Sequence, residues 1–147
     1  VESHYNGELT AEQWNGLNIR LAIWTCGMEV IKANPLIGAG LGDKEKALTD
    51  EYKKKDFRFG IRTNKNMHSN YLDLFASMGL IGFGLFVIGF LILPMRGIEI
   101  LGALILIDFM LSFFTETYID RSMGCVMFGF WVSLLLSFRK TQVLSST

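Results

Sequence analysis

The side chains best suited to chemistry in this 147-residue sequence are a histidine, His68, and an arginine, Arg20. A neutral imidazole accepts a proton from a hydroxyl near neutral pH, which is the work of a general base. Taken alone, His68 reads first as a solvated loop histidine or the neighbour of a helix N-cap. Arg20 lies among Ile19, Leu21 and Ile23. A guanidinium there can grip a phosphate bidentately and keeps its charge at any relevant pH, or it can snorkel from an interfacial helix. Arg58, Arg62 and Lys65 stand just ahead of His68. With Lys53, Lys54 and Lys55 they form a basic run suited to lipid headgroups or a diphosphate, though such a run also serves as plain solvated surface. Glu116 and Asp120 follow the second apolar run, and either carboxylate can orient an imidazole at the same depth. Asp108, inside that run, is costly in hydrocarbon and must face protein or water.

Other chemistries are poorly served. Gly38-x-Gly40-x-Gly42 ends in neither Gly-Lys-Ser/Thr nor the spacing of a dinucleotide loop, so its glycines read as a flexible turn. Cys26 and Cys125 make neither a disulfide framework nor a zinc site, and no metal or other cofactor is expected. The 14 basic and 14 acidic residues balance, which argues against a nucleic-acid partner.

The elements that must position these groups follow from a split in composition. Residues 1–66 hold 10 basic and 9 acidic residues, and residues 67–147 only 4 and 5. Three apolar runs fill the second part: Leu80–Met95 with a lead-in from Tyr71, Ile98–Thr115, and Ser122–Phe138. Each approaches the roughly 20 residues that a spanning helix needs. The expected fold is all-α, a fragment of a polytopic membrane protein. Three transmembrane helices at about 71–95, 98–115 and 122–138 are preceded by an extracytoplasmic loop, residues 1–70, and followed by a cytoplasmic tail, residues 141–147. Arg96 and Arg139–Lys140 fall on one side of the bilayer, and the positive-inside rule makes that side cytoplasmic. Within the loop, Leu17–Ala33 reads as an amphipathic helix with Leu17, Leu21, Trp24, Met28 and Ile31 on its apolar face, ended by Asn34-Pro35 and placed at the bilayer surface. Asn34–Asp43 reads as a glycine-punctuated turn and Ala47–Lys65 as a polar loop. With no initiator Met and no signal-peptide pattern, the chain reads as the C-terminal portion of a longer protein.

In their order, three motifs resemble the shared C-terminal region of the O-antigen ligase and O-antigen polymerase superfamily. They are Arg20-x-x-x-Trp24 leading to Asn34-Pro35-Leu36-Ile37-Gly38-x-Gly40-x-Gly42; His68-Ser69-Asn70-Tyr71-Leu72; and Met78-Gly79-Leu80-Ile81-Gly82. The sequence departs from the usual pattern in placing Ser69 between His68 and Asn70. The resemblance implies a metal-independent glycosyltransferase of the bacterial inner membrane, with residues 1–70 facing the periplasm. It would move a saccharide chain from an undecaprenyl-diphosphate carrier to lipid A-core or another glycan acceptor. By the same resemblance, Arg20 holds the diphosphate and His68 activates the acceptor hydroxyl. Arg58, Arg62, Asn70 and Glu116 are expected from their own positions, not from the resemblance, to bind substrate. Upstream helices would complete the site, so the fragment is not expected to act alone. A repeat-unit polymerase, a protein O-oligosaccharyltransferase, a transporter using Asp108 and a non-catalytic assembly subunit are the competing readings.

Overall fold

The computed structural model describes residues 15–95 and 98–145, so the role read for Arg96 falls outside the described residues. Helix α1, Gly16–Ala33, starts where the Asn15 side chain accepts from the backbone N–H groups of Leu17 (3.1 Å) and Asn18 (2.9 Å). It stops at Asn34, because Pro35 disfavours a helical residue before it. Helices α2, Lys44–Lys54, and α3, Arg58–Thr63, follow. Then come α4, Asn70–Phe86, a π-helical stretch, Val87–Ile92, and α5, Leu93–Met95, which together form a helix of 26 residues. Helices α6, Ile100–Thr115, and α7, Ser122–Ser145, complete an all-helical arrangement with no strand among the described residues.

The Asn70–Met95 helix is long and apolar enough to cross a membrane; α6 and the Ser122–Ser137 part of α7 are apolar but shorter. The π stretch lies just ahead of Pro94. Proline lacks the N–H that α-helical pairing needs and its ring crowds the carbonyl four residues back, so a widened turn there relieves both problems.

Two apolar cores divide the molecule. One joins α1 to α2 and the chain leading to α4, with Ala22, Ile23, Cys26, Leu48, Tyr52, Phe57 and Met67 buried. The other is largely aromatic and joins α4, α6 and α7. Phe113 lies 5.1 Å from Phe128 and 6.3 Å from Phe86, ring centre to ring centre. Inside a bilayer such a cluster is held by close packing, since lipid tails are as apolar as the rings.

Two sequence expectations change here. The face that α1 buries is Ala22, Ile23, Cys26, Gly27, Val30 and Ile31, whereas Leu17 and Met28 are exposed. Small residues decide this: a Cβ on Gly27 would already lie 3.3 Å from the Met67 sulfur, so this side of the helix can approach closely. The stretch read as a polar loop, Ala47–Lys65, contains most of α2 and all of α3. Few apolar residues mark α2, but Leu48 and Tyr52, one turn apart, both turn inward, and the Tyr52 ring meets Phe57 edge-on.

The most consequential local feature lies inside α4. Gly79 has φ 65° and ψ −171°, which breaks the helix there. An unbroken helix would pair the N–H of Leu80 with the Ala76 carbonyl and that of Ile81 with Ser77. Instead, the Asn34–Gly42 turn enters the gap. Ala39 donates to the Ala76 carbonyl (2.7 Å) and Gly40 to Ser77 (2.9 Å), while Leu80 donates to the Pro35 carbonyl (2.9 Å) and Ile81 to Leu36 (3.2 Å). Four bonds between segments replace two within the helix. Such close approach needs glycine on both sides: a Cβ on Gly38 would fall 2.4 Å from the Ser77 backbone, and one on Gly79 2.3 Å from Leu36. Both glycines also have positive φ. The glycine turn and the Met78–Gly82 motif are therefore two halves of one joint.

Replacing Gly79 or Gly38 by Ala should destabilise the protein by about 2 kcal/mol or more, through backbone strain plus overlap. Gly84→Ala, where nothing lies within 4 Å of the new methyl, should be neutral or slightly stabilising. Thermal unfolding of the detergent-solubilised protein reads both effects; equal behaviour of the Gly79 and Gly84 variants would refute the joint.

Candidate functional site

The site is assembled where three chain segments meet at one end of α4 and α6. Arg20 and Trp24 stand one turn apart on α1 and so share a face. The Trp24 indole donates to the Met67 carbonyl at 3.0 Å and meets the Phe114 ring edge-on at 5.5 Å. One side chain thus ties α1 both to the residue before His68 and to the end of α6. Asn66 makes a second tie, its amide donating to the Thr117 hydroxyl at 2.9 Å.

His68 has φ 46°, a left-handed conformation costly for a residue with a Cβ. The Asn66 side chain accepts from its N–H at 3.3 Å. Strain of this kind gathers at functional sites. The Glu116 carboxylate lies between the groups that the sequence singled out. Its Oε1 is 3.6 Å from Arg20 Nη2, and its Oε2 is 3.7 Å from His68 Nδ1 and 3.6 Å from Arg121 Nη2. Arg20 and His68 therefore face the same carboxylate. Burial lowers the His68 pKa below 6.5; the Glu116 charge opposes that effect, while Lys65 and Arg20 add to it. Burial and the two cations thus favour the neutral imidazole. At 3.7 Å the His68–Glu116 contact is too long for a hydrogen bond, and Nδ1 and Oε2 are both buried without one among the described residues.

The remaining expected site residues lie around this cluster. Asn70 is buried, with its Oδ1 accepting from the Ile119 N–H at 3.3 Å and its Nδ2 without a hydrogen-bond partner among the described residues. It thus grips the α6–α7 link. Ser69, buried beside it, donates to the Phe113 carbonyl at 3.5 Å. Arg58 and Arg62 are exposed on α3, with Arg58 paired to Asp56 at 3.1 Å. Asp108 lies eight residues before Glu116, about 12 Å away along α6, on the wall of a largely apolar groove of about 770 Å³ between α6 and α7 that Arg121 also lines.

Sequence reasoning passed over Arg121 and Lys44. Arg121 could have been found, because it shares the short Glu116–Arg121 link with Glu116. Lys44 carried no local signal. Its ammonium donates to Asp73 of α4 at 2.7 Å and to Asp120 of the link at 2.6 Å, with 11% of its side chain exposed. Burial works against its charge, yet the hydrogen bonds it donates to Asp120 and Asp73 hold its pKa above the ordinary 10.5. This three-residue bridge sets the height of the link, and with it Glu116 and Arg121, against α2 and α4.

An all-helical protein with a membrane-length helix and a histidine–carboxylate–arginine cluster at one end defines the class: a membrane protein with a polar site beside its apolar helices. The O-antigen ligase family model matches residues 2–87, more than half of the chain, and the chain belongs to that family. Its class is thereby the O-antigen ligase and polymerase type of membrane glycan transferase. No curated protein and no solved structure matches the chain.

Lys44→Met should cost about 3 kcal/mol, because it leaves the Asp73 carboxylate buried without its cation. Adding Asp73→Asn removes the stranded charge and should recover most of the loss. Denaturation midpoints of the single and double variants check this; a Lys44→Met protein as stable as the parent would show that the bridge contributes nothing.

Proposed function

We propose that the cluster is the acceptor-activating and diphosphate-binding part of a glycan transferase. It would pass a saccharide chain from an undecaprenyl-diphosphate carrier to a hydroxyl of lipid A-core or another glycan acceptor. The observation that carries this reading is the placement of Arg20 and His68, from distant parts of the sequence, against one carboxylate. The side holding α1 to α3 is the periplasmic side of the bacterial inner membrane, and α6 and α7 cross that membrane together with the Asn70–Met95 helix.

The reaction is a single displacement. The acceptor oxygen bonds to the anomeric carbon as the bond from that carbon to the phosphate oxygen breaks, and the acceptor proton passes to His68. With the Nδ1 proton directed at Glu116, the lone pair on Nε2 is free to receive it, and the carboxylate stabilises the imidazolium that forms. Arg20 and Arg121 take up the charge that grows on the departing diphosphate. Both are accessible, Arg20 about a third exposed and Arg121 more so. Arg58 and Arg62 add positive field from the surface of α3. Attack opposite the leaving group inverts the anomeric configuration. In the absence of substrate both arginines face the single negative charge of Glu116; the diphosphate takes over as their counter-ion and leaves the carboxylate to His68.

In the full-length protein, Arg20→Ala and His68→Ala should each lower chain transfer at least about 100-fold, the contribution expected of a general base or a charge-stabilising donor, with normal membrane accumulation. Transfer at the parental rate by the His68→Ala protein would remove the base assignment. Because a base must be unprotonated, the rate should rise with pH through an inflection below 6.5, the ordinary histidine value from which burial displaces His68. An inflection well above 6.5 would contradict the burial argument.

A further inference from the structure

The geometry points to the Pro35–Leu41 turn as a membrane-inserted element that buries Leu36, Ile37 and Leu41 among lipid acyl chains in the leaflet on the α1 side. Its depth follows from two independent counts. A hydrocarbon core of about 30 Å takes about 20 helical residues, and counting back from Met95 places its far edge near Ala76. From the other direction, the Lys44–Asp73–Asp120 bridge must stay out of hydrocarbon, so the edge lies beyond Asp73. The turn bonds to residues 76 to 81, at or below that edge.

Its chemistry suits that depth. No charge occurs from Asn34 to Gly42. The backbone that enters the gap at Gly79 meets its partners there in four hydrogen bonds, and the Gly38 N–H reaches the Asn34 carbonyl at 2.9 Å. Irregular backbone tolerates an apolar medium only when its polar groups are satisfied within the protein. Meanwhile Leu36, Ile37, Leu41, Leu80 and Ile81 are 55% to 72% exposed, and Leu36 and Ile37 lie directly against Gly79 at the head of the Leu80–Met95 half-helix. Water would meet a charge-free aliphatic surface there. A neighbouring helix would favour small residues at the contact, and this surface presents Leu and Ile. Acyl chains are the occupant that fits, and the surface is continuous with that of the membrane-length helix. Insertion would moor the turn between α1, which carries Arg20, and α2 at a constant height over the bilayer, whatever reaction the site performs.

The test uses the full-length protein in phosphatidylcholine vesicles, with its other reactive cysteines replaced, Cys125 included. Nitroxide labels at Ile37→Cys and, separately, Leu41→Cys report collisions with oxygen, which partitions into lipid, and with a neutral nickel chelate, which stays in water. Lys46→Cys on exposed α2 is the aqueous reference. Both turn positions should show oxygen collisions well above chelate collisions, the reverse of Lys46. Chelate access equal to that at Lys46 would place the turn in water. Low access to both reagents would show that protein covers it, and either result overturns the proposal. Chain-transfer activity of the labelled protein is scored separately, so the fate of this inference and that of the glycan-transfer reading remain distinct.

Discussion

The structure depends on a joint between backbones. The Asn34–Gly42 turn and the break at Gly79 exchange four hydrogen bonds where an ordinary helix would keep two to itself. Each half completes the other: a break in an apolar helix exposes carbonyl and N–H groups at a cost of several kcal/mol each where water is absent, and the turn supplies their partners. Together they satisfy one another. Because α1 runs directly into this turn, the joint sets where α1 lies on α4, and therefore which of its side chains can reach the His68 turn.

From that constraint the polar site follows in steps. Trp24 locks α1 to Met67, Asn66 locks the same turn to Thr117, and Lys44 pulls the α6–α7 link toward α2 and α4. The carboxylate of Glu116 is the remaining free end, and three groups converge on it at 3.6 to 3.7 Å. These separations are loose compared with a formed hydrogen bond. The balance of charge at His68 is equally unsettled: burial and the nearby cations favour the neutral ring, and Glu116 favours the charged one. Arg20 and Glu116 thus act on the ring with opposite sign, and moving either charge shifts the balance.

Much of this was legible in the residues. The extent of α1, the stop at Asn34-Pro35 and the three apolar helices come from periodicity and local breakers, which act over a few residues. Arg20 and His68 stood out by resemblance, and Glu116 by its depth. What escaped notice depends on contacts between distant positions. Lys44 looks like any surface lysine until Asp73 and Asp120 close on it. The break at Gly79 is hidden because Met78–Gly82 is as apolar as the helix around it, and only the presence of the turn makes a break favourable. The buried face of α1 departs from its large apolar residues because close approach favours Ala22, Cys26 and Gly27. In α2, a mostly charged sequence concealed the two residues, Leu48 and Tyr52, that fold it onto its neighbours.

If Arg20, Glu116 and His68 share one site, the two charges act on the imidazole through space. Titrating the isotope-labelled imidazole of His68 by NMR in the full-length protein tests it most directly, with Arg20→Gln and Glu116→Gln compared against the parent. Removing the cation should raise the His68 pKa, and removing the carboxylate should lower it, in line with the signs of their charges. A pKa that neither substitution moves, or that both move the same way, would show that the three side chains do not share a site.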